Sequence, residues 1–390
     1  MKLHLKHLWQ FLNLTMKSKK IGLYVHIPFC LKKCNYCDFC SFANLPSVNR
    51  ERYIDRLCEE IVSYKGKLDT YQVESIFFGG GTPSLLSKDE FEKIVGAIRE
   101  ILTLDDTVEF TLEANPKTLT KENLSVYVSH GVNRLSVGLQ SIHENELKVL
   151  GRIHDLEDFR TSLDLILNSG IQNINVDIMY AIPQQSAESF RKTVDFVSTL
   201  PITHISAYSL IIEEDTPFGR MKDNLPLPTE EEELLMVEYL HQKLKENGFV
   251  HYEISNYSKV DTPSRHNLLY WNMDEYIGVG ISAHSDFSGV RFSNTSSLDE
   301  YISEEYIQYR MSETPKEEER AFEYAMLRLR LKEGLSLSEY EKRFHLSFLE
   351  NKEEYIQKCI EGGYLILEGD NLSFSEEGFY VSNEILSMIL

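Results

Sequence analysis

Between residues 21 and 247 the chain alternates six times between a short β-rich run and an amphipathic stretch of helical period. The runs are 21–27, 73–78, 107–113, 133–138, 171–178 and 202–208, with helices expected at 48–64, 88–102, 120–130, 155–169, 186–199 and 230–247. Strands joined through helical crossovers lie parallel, and the crossovers are right-handed. The first run is apolar at both parities, as a strand covered on both faces is. Six units fall short of a closed eightfold barrel. The expected fold class is therefore α/β, an incomplete (β/α)6 TIM-like barrel.

The ends of those runs carry the unusual residues. After the first comes a loop holding Cys30, Cys34 and Cys37 in the spacing C-x3-C-x2-C, with Cys40 three residues on. After the second comes Gly79-Gly80-Gly81-Thr82-Pro83. Glu113, Gln140, Asp177 and Tyr208 end or follow the next four, and Leu150-Gly151-Arg152 sits in the connection after Gln140. The C-terminal face of a parallel α/β barrel is where active sites are built. Their common placement there marks one site.

Thiolates so close in sequence converge on one metal centre if the loop wraps around it. An iron–sulfur cube normally takes four, so three would leave one iron open, as a catalytic zinc keeps an open position. Structural zinc, with Cys40 as fourth ligand, is the competing reading. It is disfavoured because zinc motifs usually draw two ligand pairs from separate segments. Cys58 falls on the apolar stripe of helix 48–64 and reads as an inert core residue. Glycines without Cβ atoms let backbone amides approach a ligand. Beside such a cluster, the triple glycine suits a zwitterionic amino acid. Glu113 would meet its ammonium group or ribose hydroxyls, and Arg152 its carboxylate in a bidentate fork. Gln140 and Asp177 offer hydrogen bonds for ribose or adenine edges. Taken singly, each is equally a cap or surface residue.

Composition narrows the partners. A formal net charge of −21 repels phosphate backbones, so nucleic acid is not an expected partner. Apolar content of 42% with 26% charged residues is that of a globular protein. No run is long enough to cross a bilayer, so stable membrane insertion is not expected. Cysteines clustered at metal spacing imply a reducing, cytoplasmic setting. Residues 1–20 hold five lysines, no acidic residue and scattered leucines. They read either as a targeting or amphipathic surface segment or, the favoured reading, as a start at Met16 with residues 1–15 a misassigned beginning or a disordered tail.

The expected domains are the tail 1–20, the barrel 21–245, a barrel-capping connection 246–310 and a C-terminal unit 311–390. That last unit shows helices at 317–331, 336–344 and 349–361, a hairpin at 364–368 and 371–375, and a final helix 376–388. Three helices and a hairpin describe a smaller winged-helix-like α/β domain. Its charge is not basic, so a lid or partner-docking role is expected in place of DNA binding.

The motifs Tyr24-x-His26-Ile27-Pro28-Phe29-Cys30-x3-Cys34-x-Tyr36-Cys37-Asp38-Phe39, Gly79-Gly80-Gly81-Thr82-Pro83-Ser84 and Val137-Gly138-Leu139-Gln140-Ser141 resemble the radical S-adenosylmethionine (SAM) superfamily. Leu150-Gly151-Arg152-x-His154, Asn175-Val176-Asp177-Ile178-Met179-Tyr180, Tyr252-Glu253-Ile254-Ser255-Asn256 and His266-Asn267-Leu268-Leu269-Tyr270-Trp271 narrow it to the group related to oxygen-independent coproporphyrinogen III oxidase. The resemblance covers roughly residues 21–380. It implies that Cys30, Cys34 and Cys37 ligate a [4Fe-4S] cluster whose fourth iron is chelated by SAM. Tyr24, Gly80, Gly81, Thr82, Glu113, Gln140, Arg152 and Asp177 would line the SAM pocket.

Within that group the oxidase pattern has a fourth cysteine two residues after the third, where Phe39 stands here. The oxidase also has a longer N-terminal extension, and the Tyr252 and His266 segments match the heme-chaperone branch. The resemblance therefore favours a heme chaperone, with heme and an acceptor protein as partners and an electron donor for the cluster. Decarboxylation of coproporphyrinogen III is the enzyme alternative, and a redox-inert partner-binding module is the third. His266 would be a heme contact, with Tyr270 and Trp271 stacking on the porphyrin; alternatively the segment is a packed loop capping the barrel.

Overall fold

The computed structural model describes residues 19–303 and 311–390. The expectation for residues 1–18 lies outside the described residues. Strands β1 (Lys19–Ile27), β2 (Tyr71–Gly80), β3 (Glu109–Ala114), β4 (Arg134–Gln140), β5 (Asn173–Tyr180) and β6 (His204–Ser209) pair in chain order, all parallel. Between them run α1 (Ser47–Val62), α2 (Lys88–Ile101), α3 (Lys121–Ser129), α4 (Glu144–Leu150), α5 (Leu156–Ser169) and α6 (Ala187–Ser198), with α7 (Glu230–Glu246) after β6. Ser87, Thr120, Asp155, Ser186 and Thr229 open α2, α3, α5, α6 and α7 in reciprocal capping boxes. Each box satisfies two amides that the first helical turn leaves without partners. The four glutamates opening α7 face the positive end of its dipole.

The strands after β1 alternate, with Phe77 and Met179 as apolar exceptions on the inward parity. One parity (Ile76, Phe78, Phe110, Leu112, Leu135, Val137, Ile174, Val176) packs under the helices against Phe91, Ile94, Ile98, Phe159 and Phe190. The other parity turns into the barrel and is polar: Thr111, Glu113, Arg134, Ser136, Asn175, Asp177, His204 and Ser206. The apolar half of each strand anchors the sheet, and the polar half builds the interior.

Residues 246–310 do more than connect. Strand β9 (Tyr276–Val279) adds a seventh parallel strand beside β1, and β10 (His284–Phe287), β11 (Val290–Ser293) and β12 (Met311–Glu313) continue antiparallel beyond it. At the other edge, β7 (Val250–Glu253) and β8 (Asn256–Ser258) turn back on β6. The run around β9 is hard to read as a strand because of Gly278 and Gly280. At Gly278 a Cβ would stand 2.2 Å from the His284 carbonyl oxygen, so the close strand turn demands glycine. Helix α8 (Arg265–Trp271) plugs the barrel end opposite the cysteine loop. Its first amides donate to Glu109, and Leu269 packs on Gly22.

The C-terminal unit has its own core. Helices α9 (Glu317–Leu329), α10 (Leu337–Phe344) and α11 (Glu353–Glu361) precede the hairpin β14 (Leu365–Glu368) and β15 (Asn371–Phe374), while β13 (Leu335–Ser336) pairs with β15. This is the winged-helix-like arrangement expected from the sequence. Arg320 ties it to the sheet extension through Asp286, at 2.8 Å.

Candidate functional site

The cysteine loop is pinned at two points. Asn35 donates from its backbone and side chain to the Leu150 and Val149 carbonyls, at 2.9 and 2.8 Å. The His26 ring reaches the Cys40 carbonyl at 2.8 Å through Nε2. Between these pins Cys30, Cys34 and Cys37 face one cavity of about 710 Å³, shared with Gly80, Gly81, Thr82, Glu113, Gln140, Arg152 and Asp177. Thr82 Oγ1 and Arg152 Nη1 each stand 3.8 Å from a cysteine sulfur, Cys30 and Cys34 respectively. Burial raises the Cys30 and Cys37 thiols, and each is raised further by Cys34. Among the described residues no three His, Cys, Asp or Glu side chains close on a single ion. Cys40 does not line the cavity, and its sulfur points to the Ser296 carbonyl at 3.7 Å.

The glycine turn joins the ends of β1 and β2, where Gly81 donates to the Ile27 carbonyl at 2.8 Å. Gly80 has φ +108°, and a Cβ there would lie 2.5 Å from the His26 ring. At Gly81 a Cβ would meet the Phe29 and Ile27 carbonyl oxygens at 2.8 and 2.9 Å. The Gly80 amide donates to Glu113 Oε2 at 3.1 Å.

Glu113 and Asp177 share the buried wall. Burial, and then the neighbouring Asp177 charge, push the Glu113 carboxyl up to about 8. Asp177 is also raised by burial, against hydrogen bonds from Asn175 at 2.6 Å and Ser136 at 3.3 Å. Asn175 in turn accepts from the ring of His204 at 2.6 Å, and the other ring nitrogen meets Tyr252 at 2.8 Å. Arg152 Nη2 donates to the Gly138 carbonyl at 2.7 Å and to Asn115 at 3.2 Å, whereas its buried Nε has no partner among the described residues. Gln140 sits at φ +66° and accepts from the Tyr208 hydroxyl at 3.0 Å. A non-glycine residue held in that region marks a position over-determined by its surroundings.

Two expected residues stand elsewhere. Tyr24 lies behind the cavity wall, stacked on Phe77, with its hydroxyl 3.0 Å from His26 Nδ1. His266 is buried in the plug, its Nδ1 2.7 Å from Ser75 and its Nε2 2.8 Å from the Tyr270 hydroxyl. Burial and the Arg134 charge lower its pKa to about 3, so the ring is neutral. It presents no free nitrogen to a porphyrin in this conformation. The packed-cap alternative describes it here, on a helix and not a loop. Sequence reasoning missed Asn115, Arg134, Ser136, Asn175 and Ser206, which also line the cavity. Parity was the signal for two of them: Asn175 and Ser206 stand two residues before Asp177 and Tyr208 on the same strands.

A partial parallel barrel with three cysteines on the first strand's loop and a glycine turn on the second's is the architecture of the radical SAM class. Residues 24–197 match the family model of the radical SAM superfamily, and 316–381 match the HemN C-terminal domain. The heme chaperone HemW of Lactococcus lactis is 33% identical over 96% of this chain and 98% of its own length. HemW of Haemophilus influenzae is 34% identical over 96% and 99%. Coproporphyrinogen III oxidase (HemN) from Escherichia coli superposes with a TM-score of 0.84 at 20% identity, over 98% of this chain and 93% of that one. The chain belongs to the HemW family of radical SAM proteins. Superfamily membership implies a [4Fe-4S] cluster and SAM.

Proposed function

We propose that this protein is a heme chaperone that binds heme and passes it to an acceptor protein. The observation that carries the reading is similarity along nearly the whole chain to proteins of that role. Phe39, 63% exposed at the cavity edge, supports it, since a cysteine there would mark the oxidase pattern. Cys30, Cys34 and Cys37 would hold the cluster, which when bound supplies one electron for homolytic cleavage of SAM. Gly80, Gly81 and Thr82 offer SAM a close backbone approach. Glu113 takes its ammonium group, Arg152 its carboxylate, and Gln140 and Asp177 its nucleoside; Tyr24 supports that wall from behind. After anaerobic reconstitution with iron and sulfide, the protein is expected to bind heme stoichiometrically and leave coproporphyrinogen III unconverted in the presence of reductant and SAM. Conversion of that substrate would replace the reading with the oxidase one.

The raised Glu113 carboxyl predicts a pH dependence. Its protonated form cannot pair with an ammonium group, so SAM affinity rises as pH increases toward about 8 and levels off above it. Below that value each pH unit costs up to about tenfold. Glu113→Gln is expected to lower SAM affinity and flatten the profile, measured by equilibrium binding between pH 6 and 9. A slope that survives in the variant would assign the dependence to another group.

Heme contact through His266 requires that the Ser75 and Tyr270 bonds open and α8 move off the barrel. His266→Ala is then expected to lower heme retention. A heme spectrum and affinity unchanged by the substitution would remove His266 from the heme site.

A further inference from the structure

Arg134 opens β4 with its side chain turned into the barrel, and it is only 2% exposed. Its buried Nε has no hydrogen-bond partner, and among the described residues no carboxylate stands within ion-pair distance of its guanidinium. The acids around it are committed elsewhere. Glu109 accepts the Arg265 and His266 amides at 3.1 Å each, Glu113 the Gly80 amide, and Asp177 the Asn175 amide. The basic side chains facing it, His204 and His266, are neutral, both held down by burial. A permanently charged guanidinium buried without an ion pair is costly, and natural interiors pair such groups.

Arg134 lines the same cavity as the cysteines, together with Asn256 and Asn267. Asn256 Oδ1 is likewise buried without a donor. The cavity thus runs from the cluster loop into the barrel and ends among polar groups with free capacity.

We propose that Arg134 is an anion site inside the barrel that takes the carboxylate of a ligand, distinct from the SAM carboxylate assigned to Arg152. The guanidinium fork matches a carboxylate edge in a bidentate pair. Asn267 can donate beside it, and Asn256 Oδ1 accepts an N–H or O–H of the same molecule. A phosphate dianion fits less well, because Glu113 and Asp177 share the wall. The carboxylate belongs either to a free small acid or to the propionate arm of a porphyrin; only the second source rests on the heme reading.

The test uses the reconstituted full chain with SAM and two probe pairs, propionate against propionamide and heme against its dimethyl ester. In the wild-type protein the charged member of at least one pair is expected to bind at least about tenfold tighter than the neutral one, the effect of one charge-assisted pair. Arg134→Gln should abolish that preference, and Arg134→Lys should keep part of it. Preference only for propionate assigns a free acid, and preference only for heme assigns the porphyrin arm. Equal binding of both members in both pairs by the wild-type protein overturns the proposal, whatever the variants do. If heme and its ester bind equally, the chaperone reading stands with heme held elsewhere; if propionate binds and heme does not, the site stands without the chaperone reading.

Discussion

Cys34→Ser is expected to abolish the iron–sulfur absorption after anaerobic reconstitution and to lower SAM affinity by at least about tenfold. Three thiols share the cavity, and the two left would be short of what a cube normally takes. Cys34 also receives the Arg152 guanidinium at 3.8 Å. Its loss would therefore remove both a proposed ligand and one contact to the arginine, and outer contacts of this kind are worth about 10–100-fold in metal affinity. Thermal stability should change by no more than about 0.5 kcal/mol, because the side chain lies on a partly exposed loop. Cys58→Ser is the control. That thiol packs against the core between α1 and α2, where burial raises it to about 11, and the cluster should load as in the parent. Full loading of Cys34→Ser, by iron content and visible spectrum, would remove Cys34 from the ligand set.

The second large effect is expected at the glycine turn. A Cβ at Gly81 would stand 2.8–2.9 Å from backbone atoms of Ile27, Pro28 and Phe29, which cannot rotate away. Gly81→Ala must therefore push apart the ends of β1 and β2, and the cysteine loop begins there. Overpacking of this kind costs about 1–3 kcal/mol. At Gly80 the clash is with the His26 ring, a side chain that can yield, but the backbone at φ +108° adds about 1–3 kcal/mol of its own. Both alanine variants should melt earlier, and Gly81→Ala should also lose SAM binding, since the displaced segment carries Cys30. A Gly81→Ala protein with parental melting temperature and SAM affinity would show that the turn relaxes freely and does not position the site.

Much of this was legible beforehand because period and spacing are local properties. The helix expected at 88–102 is Lys88–Ile101, and that at 186–199 is Ala187–Ser198, since Ser87 and Ser186 announce their own caps. The strand ends carrying Glu113, Gln140 and Asp177 were placed by the same alternation. Strand β9 was not legible: its glycines answer to a carbonyl across the turn, His284 O, which no local pattern reveals. His266 was ambiguous for a related reason. Imidazole is equally suited to heme iron and to a buried bridge, and Ser75, almost two hundred positions away, decides that it forms the bridge here.

By itself the sequence determined the layered α/β architecture, the three thiols and the glycine turn, because apolar parity and residue chemistry are written along the chain. Only the tertiary structure decided which polar residues share the interior and how they are charged. Glu113 is raised because folding removes water and brings in Asp177. Among the described residues the Arg134 Nε is buried without a hydrogen-bond partner, while the carboxylates around it accept amides. Burial and pairing are properties of the assembled barrel, and they turn a row of strand residues into a site.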